Sequence, residues 1–181
     1  MDFKLVTEKL VAAFRKLDVR YAVIGGFALG LWGYGRGTLD LDVLTNRDDL
    51  DKVDNIMQQL GYELKYRSEN VSQYVSPLKI FGEVDFLHAF RSASLEMLAR
   101  ADEKEVFGGS LTIRVLRPED LIGLKLQAMK NDPARSAVDA ADIEALVASQ
   151  GNSLSWPIIE EYCRILAMGD WYDKIRGRAG K

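Results

Sequence analysis

The sequence predicts an α/β (α+β) fold: a small mixed, twisted sheet flanked by helices, with an all-helical C-terminal lobe. Three observations carry that prediction. Apolar residues at Val6, Leu10, Ala13, Phe14 and Leu17 recur at helical spacing. Short apolar runs bounded by glycine and polar turns then read as strands between residues 21 and 116. Beyond Pro118 strand signals vanish and only helical periodicity remains. The predicted division is a core at 1–116 and a helical lobe at 117–181.

Taken in order, the first helix ends near Asp18, and Tyr21-Ala22-Val23-Ile24 is a buried strand. Gly25-Gly26 follows, then a short apolar helix, Phe27-Ala28-Leu29-Gly30-Leu31-Trp32, stopped by Gly33 and Gly35. The next strand runs through Thr38-Leu39-Asp40-Leu41-Asp42-Val43. Thr45-Asn46 supplies an N-cap, Asp48 and Asp49 suit the positive first turn, and that helix runs to Leu60 with Gly61 as its stop. Strands are predicted at 63–66, 72–75 and 84–87, with a hairpin across Phe107-Gly108-Gly109-Ser110-Leu111 and a helix at Ser92 to Arg100. Pro118 suits the first turn of a helix. Helices near 118–130, 133–149 and 155–168 build the lobe, and the basic stretch Lys174 to Lys181 is expected to fray.

Composition sets bounds. With 181 residues, 48% hydrophobic and 28% charged, the chain can bury a real core. A net charge of −3 argues against indiscriminate coating of nucleic acid, which depends on phosphate neutralisation. The single cysteine, Cys163, allows no internal disulfide and no cysteine-cluster metal site, which points to a reducing, cytoplasmic setting. Its helical surroundings make it a small core residue. The opening residues mix charges of both signs and no window approaches the ~20 apolar residues of a membrane span, so neither export nor membrane partners are expected.

The most informative stretch is Arg36-Gly37-Thr38-Leu39-Asp40-Leu41-Asp42-Val43, ten residues beyond Gly26. In a strand, alternate side chains share a face, so Thr38, Asp40, Asp42 and Leu44 stand on one side while Leu39, Leu41 and Val43 fill the other. Two carboxylates that close repel unless a cation neutralises them, and Asp is otherwise poor in strands. A hard dication with oxygen ligands suits the pair; a solvated strand edge is the plainer alternative. Gly25-Gly26, at a strand exit and helix start, lets backbone N–H groups approach an anion such as phosphate, or is simply a tight turn. A further acid stands in Glu83-Val84-Asp85-Phe86-Leu87, with Val84 and Phe86 facing the core.

Together, Gly25-Gly26, Arg36, Thr38, Asp40, Asp42 and Asp85 resemble the motif of the nucleotidyltransferase superfamily that includes DNA polymerase beta. The Gly-Gly form with Arg-X-Thr directly before Asp-X-Asp looks most like the bacterial branch of abortive-infection (AbiEii-type) toxin nucleotidyltransferases. The resemblance implies that Gly25 and Gly26 hold the triphosphate of a nucleoside triphosphate and that Asp40 and Asp42 bind two Mg²⁺ ions. Asp85 would complete one metal site and help deprotonate the attacking hydroxyl. Thr38 would orient a carboxylate, and Arg36 would reach phosphate or an acid. Such parts suit in-line attack on the α-phosphate, where charge grows on both the entering and the leaving oxygen.

The lobe carries a second match. Leu121-Ile122-Gly123-Leu124-Lys125 is followed by Arg135-Ser136-Ala137-Val138-Asp139-Ala140-Ala141-Asp142, similar to the family's lysine and Arg-X3-Asp-X2-Asp run. The resemblance assigns Lys125, Arg135 and Asp139 to nucleotide binding. On a helix, Arg135, Asp139 and Asp142 line one face, which as residues alone reads equally as a surface salt-bridge row. The family often has lysine where this chain has Val138. His88, the sole histidine, is read as structural.

The expected activity is Mg²⁺-dependent transfer of a nucleoside monophosphate to a hydroxyl acceptor: an RNA end such as tRNA, a small molecule or a protein, with an antitoxin as partner protein in the toxin-like reading. The rivals are a non-catalytic nucleotide- or partner-binding member of the same fold and a metal-dependent glycosyltransferase, whose pattern lacks Gly-Gly ten residues before Arg-X-Thr-X-Asp-X-Asp.

Overall fold

The computed structural model describes residues 1–151 and 153–178. The chain forms two compact units, residues 1–28 with 37–116, and residues 29–36 with the chain from 117 onward. Residues 29–36, read from sequence as part of the core, thus group with the helical lobe.

The first unit is built on one seven-stranded sheet. Helix α1 (Phe3–Leu17) starts where the Asp2 side chain accepts from the Leu5 N–H and stops where Asp18 turns left-handed. Its stripe of Val6, Leu10, Val11 and Phe14 is buried. Strand β1 (Tyr21–Ile24) leads into α2 (Gly25–Leu31), then come β2 (Asp40–Asn46), α3 (Leu50–Gln59), β3 (Glu63–Arg67), β4 (Val71–Val75) and β5 (Glu83–Ala89). Helix α4 (Ser92–Ala99) precedes the hairpin of β6 (Asp102–Val106) and β7 (Leu111–Val115). The order across the sheet is β3-β4-β5-β2-β1-β7-β6, with β2/β5 and β1/β7 parallel and the other neighbours antiparallel. Phe86 anchors the core, its ring 6.2 Å from that of Phe14 and 5.6 Å from that of Tyr74. Leu41, Val43, Ile56 and Met57 are buried in the same unit, and burying each such side chain contributes about 1.5–3 kcal/mol.

Two local expectations change. Leu39, expected on the buried face, is 86% exposed, because β2 begins only at Asp40, whose first rung is Glu83. Thr38 accordingly lies in the loop before the strand. Thr45 stays in β2, and Asn46 alone caps the 3-10 turn Arg47–Asp49, accepting from the Asp48 N–H at 2.8 Å.

The second unit contains α5 (Pro118–Asn131), a 3-10 turn (Pro133–Arg135), α6 (Ser136–Gln150), α7 (Trp156–Ile165) and α8 (Gly169–Arg176). Gly123 allows α5 and α7 to touch: a Cβ there would lie 2.6 Å from Tyr162 Cδ2. The Tyr162 hydroxyl donates to buried Asp120 Oδ1 at 2.6 Å. Cys163 is buried, and burial pushes its thiol pKa up to about 11. Lys174 and Arg176, expected in a frayed tail, instead finish α8 and lie over the rings of Trp171 and Trp156. Residues 179–181 of that tail lie outside the described residues. Among the described residues no helix is long and apolar enough to cross a membrane.

Candidate active site

Parallel register sets Asp42 of β2 directly beside Asp85 of β5, and Asp40 beside Glu83. Residues paired across a ladder share a face, so Asp40, Asp42 and Asp85 point the same way. Each offers a carboxylate oxygen, and the three oxygens lie within 4.8 Å of one another. The Thr38 hydroxyl donates to Asp40 Oδ1 at 2.8 Å, orienting the first acid from the preceding loop. On the far side of β5, Gln73 of β4 is the register partner of Asp85, and its Nε2 donates to Asp85 Oδ2 at 3.0 Å. Asp85 Oδ1 is buried and has no hydrogen-bond partner among the described residues.

That arrangement is electrostatically costly as it stands. Burial first, then the charges of Asp40 and Glu83, push the Asp85 carboxyl above its ordinary range, while the Gln73 hydrogen bond and Lys65 pull it back. Lys65 Nζ is 4.0 Å from Glu83 at the rim. Three clustered carboxylates, one with a bare buried oxygen, form a hard oxygen donor set that suits a divalent cation such as Mg²⁺. The residues present therefore fit the ion that the sequence motif implies.

Gly25 and Gly26 are needed by the acidic strand itself. Gly25 has φ +64°, and a Cβ there would lie 1.9 Å from Asp42 Oδ2. A Cβ on Gly26 would lie 2.8 Å from both Thr38 Cβ and Oγ1. Any larger residue at either position would displace an acid or the hydroxyl that orients one, so these glycines keep the backbone of α2 close against the carboxylates.

In the second unit, Lys125 Nζ sits between two aspartates, 2.7 Å from Asp139 Oδ1 and 2.6 Å from Asp142 Oδ2. Arg36 also holds Asp142, Nε to Oδ1 at 3.0 Å and Nη2 to Oδ2 at 3.3 Å. Arg135 Nε stands 3.5 Å from Asp139 Oδ2 without a directed hydrogen bond. Both aspartates are buried, at 0% and 1% exposure, so this is no surface salt-bridge row. The structure thus joins Arg36, Asp142, Lys125, Asp139 and Arg135 in one network, with Lys125 bridging the two aspartates.

Two residues escaped the sequence reading. Asp142 stood in the quoted motif but carried no assigned role. Gln73 gave only a period-two strand signal, and its importance depends on β4 pairing with β5. His88 is structural as expected: buried, with its Nδ1–H donating to Glu69 O at 3.0 Å, which leaves Nε2 to accept from Ser72 Oγ at 3.0 Å.

A sheet with three converging carboxylates beside a glycine turn is the arrangement that the nucleotidyltransferase motif implies, and the family comparison shows the class. A family model described as "Uncharacterised nucleotidyltransferase" matches residues 4–172, so the chain belongs to that nucleotidyltransferase family. It is an enzyme that transfers a nucleoside monophosphate. A search of curated proteins finds no match. Among solved structures, ANT(2″)-Ia in complex with adenylyl-2″-tobramycin is similar, with a TM-score of 0.64, 16% identity, and 96% of this chain and 97% of that chain covered. The lincomycin-bound lincosamide antibiotic adenylyltransferase LnuA gives a TM-score of 0.54 and 14% identity over 76% of this chain and 91% of its own. A putative nucleotidyltransferase from Thermotoga maritima gives 0.54 and 15% over 78% and 96%. At such identities the likeness is one of fold.

Proposed function

We propose that this enzyme moves a nucleoside monophosphate from a nucleoside triphosphate to a hydroxyl acceptor, releasing pyrophosphate, with Asp40, Asp42 and Asp85 as its catalytic and metal-ligating residues. The observation that carries the reading is the bare, buried Asp85 Oδ1 beside Asp40 and Asp42. These three side chains would hold two Mg²⁺ ions, which when bound supply electrostatic stabilisation of the entering and leaving oxygens. Thr38 keeps Asp40 in place through its hydroxyl. Asp85 would also help to take the proton of the attacking hydroxyl, the general-base role that the family motif gives to its third acid.

The triphosphate would lie along Gly25 and Gly26, where no side chain stands between backbone and ligand. Lys125 and Arg135 would present positive charge to the nucleotide, with Asp139 holding both and Arg36 tied to the same network. The acceptor is a hydroxyl on a small molecule, an RNA end or a protein. An RNA acceptor with an antitoxin partner follows from the toxin-like branch, and small-molecule acceptors from the antibiotic adenylyltransferases of similar fold.

The test is pyrophosphate release with Mg²⁺ and each of the four nucleoside triphosphates, in the presence of tobramycin, lincomycin or tRNA. Acceptor-dependent release that Asp40→Asn abolishes supports the reading. Nucleotide binding by calorimetry with no turnover on any acceptor supports the non-catalytic rival instead.

A further inference from the structure

The row Gln73, Asp85, Asp42 crosses three neighbouring strands in unbroken register. Its first member makes one polar contact toward the site: Gln73 Nε2 donates to Asp85 Oδ2 at 3.0 Å. A carboxylate oxygen repels an amide oxygen at that distance, so the N–H must face Asp85. With Oδ2 capped in this way, the other oxygen, Oδ1, is the one left buried and without a donor. An unheld carboxylate turns about a soft torsion, and a donor on one oxygen fixes the plane of the group and so the position of the other oxygen. The donor's chemistry also suits the task. A neutral amide fixes the acid and leaves its charge intact, whereas lysine or arginine at the same register position would cancel the charge and compete with a cation.

We propose that Gln73 is the positioning residue of the metal site: by capping Asp85 Oδ2 it fixes the carboxylate with Oδ1 as the oxygen offered to the cation beside Asp40 and Asp42. This rests on reading the three acids as a metal site. Partners that orient a ligand are typically worth about 10–100-fold in metal affinity.

The experiment is Mn²⁺ titration of the purified full chain, read by the loss of free-ion paramagnetic signal and by calorimetry, for wild type, Gln73→Met, Gln73→Ala, Asp85→Asn and Gln73→Met/Asp85→Asn. Thermal melts identify which Gln73 variants are folded, and Gln73→Ala serves if Gln73→Met is not. The expected result is a roughly 10–100-fold weaker Mn²⁺ dissociation constant for the Gln73 variant, and no further loss when it is added to Asp85→Asn. Wild-type affinity in the folded Gln73 variants, with Asp85→Asn weakened, overturns the role of Gln73 and leaves the metal site standing. An equal loss in both backgrounds also overturns it, since Gln73 would then act without Asp85. Absence of Mn²⁺ binding by wild type removes the metal reading itself.

Discussion

Gly25 and Asp42 occupy space that only one side chain can use: a Cβ on the glycine would fall 1.9 Å from the aspartate's Oδ2. A left-handed residue at the exit of β1 and a carboxylate on β2 are thereby locked together. Gly25→Ala should lose twice. It incurs about 1–3 kcal/mol for the backbone at φ +64° and pushes Asp42 out of line with Asp85. Denaturant unfolding should show the stability loss and Mn²⁺ titration the weakened site; a variant with wild-type stability and affinity would contradict the tight packing.

Asp85 gives a pH-dependent prediction. Its folded pKa is raised, chiefly by burial, so the folded state binds the proton more tightly than the unfolded chain. The stability it contributes is therefore fullest below about pH 4 and is lost as pH rises through the raised value. Metal-free Asp85→Asn should melt above wild type at pH 7.5, with the gap closing toward pH 4. A variant that melts below wild type at neutral pH in chelator would reverse the assignment.

His88 runs the other way. Burial holds its pKa below the ordinary 6.5, and the backbone hydrogen bond to Glu69 opposes this only in part. A lowered histidine pKa gives stability that is present above about pH 6.5 and lost as pH falls through the folded value. Because the chain has 1 histidine, its imidazole resonances can be followed without ambiguity. Their titration midpoint should lie below 6.5, and His88→Gln should flatten the melting-temperature profile between pH 5 and 7.

The buried network of the helical unit predicts a large effect from one deletion. Lys125→Met removes the cation shared by Asp139 and Asp142, which are 0% and 1% exposed. Asp142 would keep Arg36 and Asp139 only the 3.5 Å contact of Arg135, so losing the cation they share should cost an amount toward the lower end of about 3–5 kcal/mol. Chemical denaturation measures it, and adding Asp139→Leu should recover part of the loss; a change under about 1 kcal/mol in Lys125→Met would mean that solvent already screens the site.

Much of this was legible in the chain because it is local. The strand Tyr21–Ile24, the glycine pair, the Asp-X-Asp stretch and the switch to helices at Pro118 each follow from periodicity, caps and turn residues within about ten positions. Thus the fold class and the Asp40–Asp42 pair are readable from the residues, whereas the choice of Asp85 as the third acid comes only from the family resemblance. Leu39 misled because alternation says which face a residue takes only where a neighbouring strand is present, and β5 supplies its first rung at Asp40.

What tertiary structure alone decided is which distant residues meet. Nothing local to Gln73 points to Asp85; the β4–β5 register brings its amide there. Nothing local to Asp142 shows that Arg36 and Lys125 converge on it from positions 106 and 17 residues earlier in the chain. Burial is decided at the same level. The Arg135-to-Asp142 face reads as a solvated salt-bridge row until packing removes both aspartates from water, and then the same charges become a paired network whose members depend on one another. Sequence determines which groups a strand or helix presents, because that depends on backbone period. The partner of each group, and the dielectric in which they meet, depend on strand order and packing between elements far apart in the chain.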